Sequence, residues 1–177
     1  MKRITLIFAF IAFTSINLIG QGNPQMLSNA ERFAAKSGTL ISKEIDKVGN
    51  VKTTVLDIVR YVDLFTKEKM SALKFTIASV GKYSIETITA YVDSDEIEDM
   101  LKSLSIIKDD VTTKTPVNYT EATFKSRSGF EVGCYFEKGA WALYVKLNIY
   151  DSKSIKMLEI SDLPLLIEQL EKAKNMM

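Results

Sequence analysis

The sequence predicts an α+β fold in which two antiparallel units, each of four strands followed by one helix, pack together as one domain. Three observations support this prediction. Apolar and polar residues alternate over most of the chain from Gly38 onward, as they do in half-buried strands. The alternation gives way twice to the i, i+3, i+4, i+7 spacing of an amphipathic helix. A shift of 66 residues superposes the apolar positions of the two helices, which indicates a tandem duplication.

The first 22 residues have the layout of a secretory signal peptide. A basic start, Met1-Lys2-Arg3, precedes residues 4–13, which are apolar except for Thr5. This stretch is shorter than the roughly 20 apolar residues that span a bilayer as a helix. We therefore expect cleavage between Gly20 and Asn23, and a periplasmic or secreted protein with no stable membrane span once the leader is removed.

The lead-in segment, residues 23–37, is expected to contain one short helix. Ser28 and Glu31 have the spacing of a capping box, and Gly38 is placed to end the segment. The first unit then covers residues 38–107. Its strands are predicted at residues 40–48, 51–62, 70–78 and 83–92, with a turn at Gly49-Asn50.

The first unit ends in a helix over residues 95–107. Its apolar stripe consists of Ile97, Met100, Leu101, Leu104 and Ile107. Lys108-Asp109-Asp110 is expected to end this helix, and residues 108–118 form a polar linker.

The second unit covers residues 119–177 and repeats the pattern. Its strands are predicted at residues 119–125, 130–136, 140–150 and 155–160. The closing helix begins at Ser161 or Asp162 with Pro164 in its first turn. Its apolar stripe consists of Leu163, Leu166, Ile167, Leu170 and Ala173. A single unit of about 55 to 70 residues would bury one sheet face under one helix, which is marginal, so the two units are expected to pack on each other.

The chain contains no histidine and one cysteine. Without histidine, Ser-His-Asp triads, Cys-His pairs and H-E-x-x-H zinc sites are excluded. One cysteine excludes a cysteine-rich zinc site and an internal disulfide. Cys134 shares a strand face with Phe130, Val132 and Phe136, so we expect a buried core thiol. We predict no catalytic residue, no metal site and no cofactor.

An acidic segment, residues 93–99, opens the first helix. It does not match a calcium-binding loop, because Glu98 stands at the sixth position where glycine is required. Carboxylates at a helix start interact with the positive end of the helix dipole and cap free N–H groups. We expect a capping role for this segment.

Charge bears on the choice of partner. The full chain has 23 basic and 22 acidic side chains. Cleavage removes Lys2 and Arg3, which leaves 21 against 22 and a net charge of −1. Proteins that bind nucleic acid usually present a basic excess to the phosphates, so this balance disfavours nucleic acid.

Aromatic residues are concentrated between Tyr119 and Tyr150, and alternation sorts them onto two faces. One face is the predicted core and carries Trp141, Leu143, Val145, Leu147 and Ile149. The opposite face carries the candidate ligand-binding residues, which are Tyr135, Tyr144, Lys146 and Tyr150. These tyrosines could stack on bases, sugars or a protein partner, or they could pack against the other unit.

Two tandem units of four strands and a helix resemble the architecture of the Whirly and Pur-alpha families, which bind single-stranded nucleic acid. Residues 138–143, Lys-Gly-Ala-Trp-Ala-Leu, are similar to the Whirly motif K-G-K-A-A-L at four of six positions, and depart from it at Ala140 and Trp141. The chain as a whole resembles the small exported proteins of unknown function that are common in Bacteroidota. The first resemblance implies single-strand binding by the tyrosine-bearing sheet, although fold alone does not transfer function.

Three hypotheses follow. The leading one is an exported, non-enzymatic module that binds a protein, glycan or envelope component through a sheet face or a strand edge, since no catalytic constellation accompanies the leader. The second is a single-stranded nucleic-acid-binding module. The third is a hydrolase that uses only carboxylates, which requires two acidic groups facing each other across a cleft.

Overall fold

Two four-stranded antiparallel sheets follow one another along the chain in a computed structural model, which describes residues 26–80 and 84–177. The first sheet has the order β1-β2-β3-β4 and consists of β1 (Ile41–Val51), β2 (Thr54–Asp63), β3 (Lys69–Val80) and β4 (Ile85–Asp93). The second has the order β5-β6-β7-β8 and consists of β5 (Thr120–Lys125), β6 (Glu131–Glu137), β7 (Ala140–Lys146) and β8 (Ile155–Leu158). The predicted α+β class and its tandem arrangement of strands are confirmed. The predicted signal peptide lies outside the described residues.

Three α-helices accompany the sheets among the described residues: α1 (Asn29–Ala34), α2 (Ile97–Ile106) and α3 (Leu163–Met176). The capping box predicted at the start of α1 is present, because Ser28 Oγ accepts from Glu31 N at 3.0 Å and Glu31 Oε2 accepts from Ser28 N at 2.9 Å. Pro164 lies in the first turn of α3, where its missing N–H removes no intrahelical bond.

One core joins the two units. The predicted stripes of α2 and α3 are buried, except that Leu101 is only partly buried. α3 lies against β1 and β2 of the first sheet, while α2 lies against α3 and β5 of the second sheet. The rings of Phe75 on β3 and Phe130 next to β6 stack with their centroids 4.3 Å apart. Each helix thus buries its apolar stripe partly against the other unit, which explains why neither unit has a complete core of its own.

The outer face of the first sheet is partly covered by α1. Ala30 and Phe33 of this helix pack on Val59, Tyr61 and Ala72 in a second, smaller apolar cluster. Both faces of β2 therefore carry buried residues, since Leu56 and Ile58 on its other face belong to the main core.

The turn predicted at Gly49-Asn50 is wrong. β1 continues to Val51, and the chain turns at Lys52-Thr53, with Lys52 at φ 50°. Gly49 is instead a point of close approach, because a Cβ atom there would lie 2.0 Å from Gln169 Oε1 of α3. A glycine inside a strand often marks such an approach rather than a turn.

The predicted end of the first helix at residues 108–110 is also wrong. The helix continues through one π-type turn, Ile107–Val111, in which Thr112 N donates to Ile107 O at 2.9 Å. Ile107 is buried and Val111 packs against the core, so the extra turn carries apolar side chains that a stop at Lys108 would expose.

The third strand of the second unit is shorter than predicted. β7 ends at Lys146 rather than Tyr150, because the following backbone bonds to the next loop. Asn148 N donates to Ser154 Oγ at 3.0 Å, and Ser154 Oγ donates to Asp151 O at 2.6 Å. This buried serine closes the connection to β8 and removes Tyr150 from the sheet.

Candidate binding surface on the second sheet

The outer face of the second sheet carries the candidate site. On its inner face Val132, Cys134, Leu143 and Val145 are buried in the core, as predicted. Cross-strand pairing brings the outer side chains of all four strands together, because Glu121 faces Tyr135, Thr123 and Tyr144 both face Gly133, and Glu131 and Ile155 both face Lys146. We call this surface the tyrosine face, and it consists of Tyr119, Glu121, Thr123, Glu131, Tyr135, Tyr144, Lys146, Ile155 and Met157.

The tyrosine face is open at both of its sides. Tyr119, beside β5, is 63% exposed, and Met157 of β8 is 44% exposed. Tyr135 stands half-buried between them. This face is therefore accessible to a molecule from solution, in contrast to the face of the first sheet that α1 covers.

Three tyrosine rings run diagonally across the strands. Tyr119 stacks on Tyr135 with centroids 6.2 Å apart and ring planes 25° apart. Tyr135 lies 6.3 Å from Tyr144 at an interplanar angle of 45°. Both separations fall in the range that aromatic pairs prefer, so the rings support one another in a continuous row.

Glu121 holds two of these rings in place. Its Oε1 accepts from Tyr144 Oη at 2.7 Å and from Thr123 Oγ1 at 3.2 Å, and its Oε2 accepts from Tyr119 Oη at 2.9 Å. The hydrogen bond from Tyr144, with those from Tyr119 and Thr123 and the nearby charge of Lys146, lowers the pKa of Glu121. Burial and the hydrogen bond to Glu121 raise the pKa of Tyr144, so this phenol stays protonated as a donor.

Tyr144 forms the floor of the site rather than its contact surface. It is 5% exposed, and its hydroxyl reaches across β6 to Glu121 and Thr123 on β5. The residue of β6 that lies between them is Gly133, where a Cβ atom would lie 2.4 Å from Ala122 O. This glycine lets the strands and the ring approach closely.

A row of alternating charge borders the rings. Lys125, Glu131 and Lys146 lie side by side on β5, β6 and β7. Lys125 Nζ lies 3.2 Å from Glu131 Oε1. Lys146 is half-buried, and its ammonium has no ion-pair partner within the described part of the chain.

Rings and charges enclose a shallow dish of about 210 Å³. We use the word dish for this depression, which is lined by Tyr119, Glu121, Glu131, Tyr135, Tyr144, Lys146 and Ile155. Its wall therefore combines flat apolar surface with one ammonium and two carboxylates.

Three of the four residues proposed from the sequence line the dish, namely Tyr135, Tyr144 and Lys146. Tyr150 does not: it is 55% exposed beyond the end of β7, near Tyr91 and Glu31. Tyr119, Glu121 and Glu131 also line the dish and were not among the residues predicted from the sequence. Tyr119 and Glu121 are two residues apart, so alternation along β5 could have placed them on one face of the sheet. Only the pairing of β5 with β6 shows that this face lies beside Tyr135.

The acidic segment forms a junction between the units rather than a ligand site. Asp93, Asp95 and Glu96 have carboxylate oxygens within 4.8 Å of one another. The Arg127 guanidinium occupies this position, since it donates to Asp93 Oδ2 at 3.0 Å and to Asp95 Oδ2 at 2.7 Å. Asp93 also accepts from Asn29 N and Ala30 N of α1 at 2.7 and 3.0 Å. The capping expected at the start of the first helix is present as well, because Asp93 and Glu96 form a capping box at the turn Ser94–Glu96 that leads into α2, in which Asp93 N donates to Glu96 Oε2 at 3.3 Å.

Within residues 26–80 and 84–177, every helix is too short or too polar to cross a bilayer. A comparison of the chain with protein-family models, with curated proteins and with solved structures finds no match.

Proposed function

We propose that this protein is an exported, non-enzymatic binding module that engages a protein, glycan or envelope component through the tyrosine face. The observation that carries the proposal is the pair formed by the exposed Tyr119 and the half-buried Tyr135, whose surroundings are fixed by the hydrogen bonds of Glu121. Rigid, partly exposed tyrosines give a large contact area at low conformational cost, which is why they are enriched at binding surfaces. Export rests on the leader, residues 1–22.

Cosedimentation with cell envelopes tests this role. The mature protein, residues 23–177, is mixed with the envelope fraction of the cells that produce it, and the pelleted share is measured. We expect the double variant Tyr119→Ala, Tyr135→Ala to lose at least tenfold in apparent affinity. Phe65→Ala is the matched control, because Phe65 is an aromatic residue of similar exposure, 69%, on the turn between β2 and β3.

Two results would overturn the proposed role. One is an absence of binding by the unmodified mature protein. The other is equal binding by the double variant, provided that circular dichroism shows it to be folded. Export is tested separately by the mass of the protein recovered outside the cytoplasm, which should lack residues 1–22 if the leader is cleaved where expected.

Single-stranded nucleic acid is the second candidate, because the tyrosine row crosses a four-stranded sheet as stacking platforms for bases do. The tandem layout that resembles Whirly and Pur-alpha proteins also favours it. Against it stand Glu121 and Glu131 on the same face, which would repel phosphates. A titration of labelled oligothymidine at about 50 mM salt distinguishes the two candidates. Micromolar, salt-sensitive binding that Tyr135→Ala weakens would favour nucleic acid over the first proposal.

A carboxylate-based hydrolase remains the third hypothesis. It requires a carboxylic acid that holds its proton near neutral pH, which needs a raised pKa. The pKa of Glu121 is instead lowered by Tyr144 and its other donors. Glu121 is therefore suited to accepting hydrogen bonds and poorly suited to a general acid role.

A further inference from the structure

We propose that the dish binds one ring of an uncharged carbohydrate. This inference rests on the proposed binding role of the tyrosine face and names the class of its ligand. It follows from three properties of the dish: its flat aromatic surface, its separate donor and acceptor groups, and its balanced charge.

The flat surface matches the apolar face of a sugar ring. A pyranose ring exposes C–H groups on its faces and hydroxyls around its edge. Tyr119, which is 63% exposed, and the half-buried Tyr135 both line the dish with their ring planes only 25° apart, so they offer flat apolar surface against which such a ring can pack. Burying this apolar area supplies the non-directional part of the binding free energy.

The polar groups match the edge of the same ring. Lys146 has three N–H donors and no ion-pair partner in the described part of the chain, so its ammonium is available to a sugar oxygen. Glu131 lies directly across from it on β6 and offers carboxylate acceptors. A hydroxyl both donates and accepts, and neighbouring hydroxyls can therefore satisfy Lys146 and Glu131 together.

The balance of charge selects an uncharged ligand. Glu131 is paired with Lys125 at 3.2 Å, and Lys146 lies close enough to Glu121 to lower the pKa of that carboxylate. The dish is thus lined by Lys146, Glu121 and Glu131, and Lys125 just outside it offsets the second carboxylate. An anionic ligand would approach Glu121 and Glu131, and a cationic one would approach Lys146, whereas a neutral polyol meets no repulsion.

The dish is organised before the ligand arrives, but it is small. Glu121 fixes the hydroxyls of Tyr119 and Tyr144, which reduces the side-chain ordering that binding would require. Its volume of about 210 Å³ lies below the roughly 300 to 1,000 Å³ of sites that enclose drug-sized ligands. We therefore expect one sugar ring in the dish and affinity near the millimolar range for a short oligosaccharide.

Calorimetric titration of the mature protein with defined hexasaccharides tests the inference. The uncharged probes are maltohexaose, cellohexaose, mannohexaose and N-acetylchitohexaose, and the charged probe is hexagalacturonate. We expect at least one uncharged hexasaccharide to bind at millimolar or lower concentration. Its affinity should change less than twofold between 50 and 500 mM sodium chloride, because no counterions are released.

The variants are chosen to tell the parts of the dish apart. Tyr119→Ala and Tyr135→Ala should each weaken binding at least fivefold by removing half of the platform, and Lys146→Met should weaken it about fivefold by removing a donor while keeping the apolar stem. Phe65→Ala should bind normally. The inference is overturned by no binding of any uncharged probe at 10 mM, by binding of hexagalacturonate alone, or by binding that the three dish variants leave unchanged.

Treatment of the envelope fraction separates this inference from the proposed function. Periodate oxidation of the envelope glycans should abolish cosedimentation, with lysozyme digestion in its place for 4-linked N-acetylhexosamine glycans, whose internal residues have no vicinal diol for periodate to cleave; digestion with proteinase K should not abolish it. If proteinase K alone abolishes a cosedimentation that still depends on Tyr119 and Tyr135, the partner is a protein: the binding role stands and the carbohydrate inference fails.

Discussion

Arg127, in the turn between β5 and β6, donates a hydrogen bond of 3.0 Å to the carboxylate of Asp93 at the end of β4. The Asp93 side chain is 1% exposed and also accepts the first two N–H groups of α1. A single buried carboxylate thus connects the second unit, the first sheet and the helix that covers it. Within the described part of the chain, removing the cation would leave this charge with only backbone donors, including the two of α1.

We expect Arg127→Met to lower the free energy of unfolding by about 2 kcal/mol. Breaking a fully buried ion pair costs about 3 to 5 kcal/mol, and the guanidinium is one-third exposed, which reduces the loss. Chemical denaturation measures the change. Lys102→Met is the control, because its ion pairs with Glu98 and Asp99 are exposed to solvent and should contribute little to stability. Equal effects of the two variants would contradict a structural role for the junction.

Unfolding of the two units should be a single transition. Phe75 and Phe130 stack across the units in the shared core, so loss of either unit exposes the core of the other. Phe130→Ala is expected to cost about 3 to 5 kcal/mol and to lower the stability of both sheets together. Amide hydrogen exchange measures protection in β3 and β6 separately. If β6 loses protection while β3 keeps it, the units fold independently and the shared core does not couple them.

Local periodicity explains which parts of this fold could be predicted from sequence. The stripes of α2 and α3 appear where expected because the 3.6-residue period reports burial within a single element. Gly49 behaves differently from expectation because its role depends on a partner distant in sequence, Gln169 of α3, which lies over it and leaves no local signal. Tyr150 leaves the sheet because Ser154, in the loop that follows β7, bonds to the backbone at Asn148, and alternation of apolar residues does not report such a loop bond.

The residues of the candidate site could likewise be predicted only as far as alternation within one strand allows. Because side chains alternate along a strand, Tyr144 and Lys146 are expected on one side of β7. The structure brings them together with Tyr135. Glu121 and Tyr119 come from another strand, and their position depends on the register between β5 and β6. Register is set by pairing across the sheet, and a one-residue slip would move Glu121 to the core.

Cys134 should be inert to thiol reagents in the folded protein. Burial raises the pKa of its thiol to about 11, from an ordinary value of 9.0. This shift alone lowers the thiolate fraction at pH 8 about 100-fold, and burial of the residue also blocks access. Reaction with Ellman's reagent at pH 8 should therefore be at least 100-fold slower in buffer than in 6 M guanidinium chloride. Rapid labelling of the native protein would show that this face of β6 opens readily.

Alanine at the two close-approach glycines should have unequal effects. At Gly133 the new Cβ would meet Ala122 O at 2.4 Å, a backbone atom that cannot move without shifting β5. At Gly49 the three nearest atoms all belong to the end of the Gln169 side chain, which can rotate away. We expect Gly133→Ala to cost about 2 to 3 kcal/mol and Gly49→Ala about 1 kcal/mol.

A second substitution tests the cause of this difference. Gln169→Ala in the Gly49→Ala background should recover most of the lost stability, because it removes the atoms that the Cβ would meet. Urea denaturation of Gly49→Ala, of Gln169→Ala and of the double variant gives the coupling free energy between the two positions. Full additivity, with no recovery, would show that the cost at Gly49 comes from the backbone of β1 rather than from α3.

Acid should remove the stabilising contribution of Glu121. The pKa of Glu121 in the folded protein lies below its ordinary value of 4.5, chiefly because the Tyr144 hydroxyl donates to its carboxylate. A carboxylate with a lowered folded pKa stabilises the fold above its unfolded pKa, and this contribution disappears as pH falls through the folded pKa. Glu121→Gln should thus be less stable than the unmodified protein by about 0.5 to 1 kcal/mol at pH 7. The difference should be constant down to about pH 5 and should close as pH falls below 4.5.

Urea midpoints measured for both proteins at pH 7, 5, 4 and 3 give this difference, while acid effects on the remaining carboxylates cancel in the comparison. Glu168→Gln, on the exposed side of α3, is the control and should leave the urea midpoint at each pH unchanged. Tyr144→Phe removes the principal donor to Glu121, so Glu121→Gln should have less than half its effect in that background. If the effect of Glu121→Gln is the same with and without the Tyr144 hydroxyl, Glu121 does not organise the tyrosine face through this bond, and the fixed geometry of the dish would need another source.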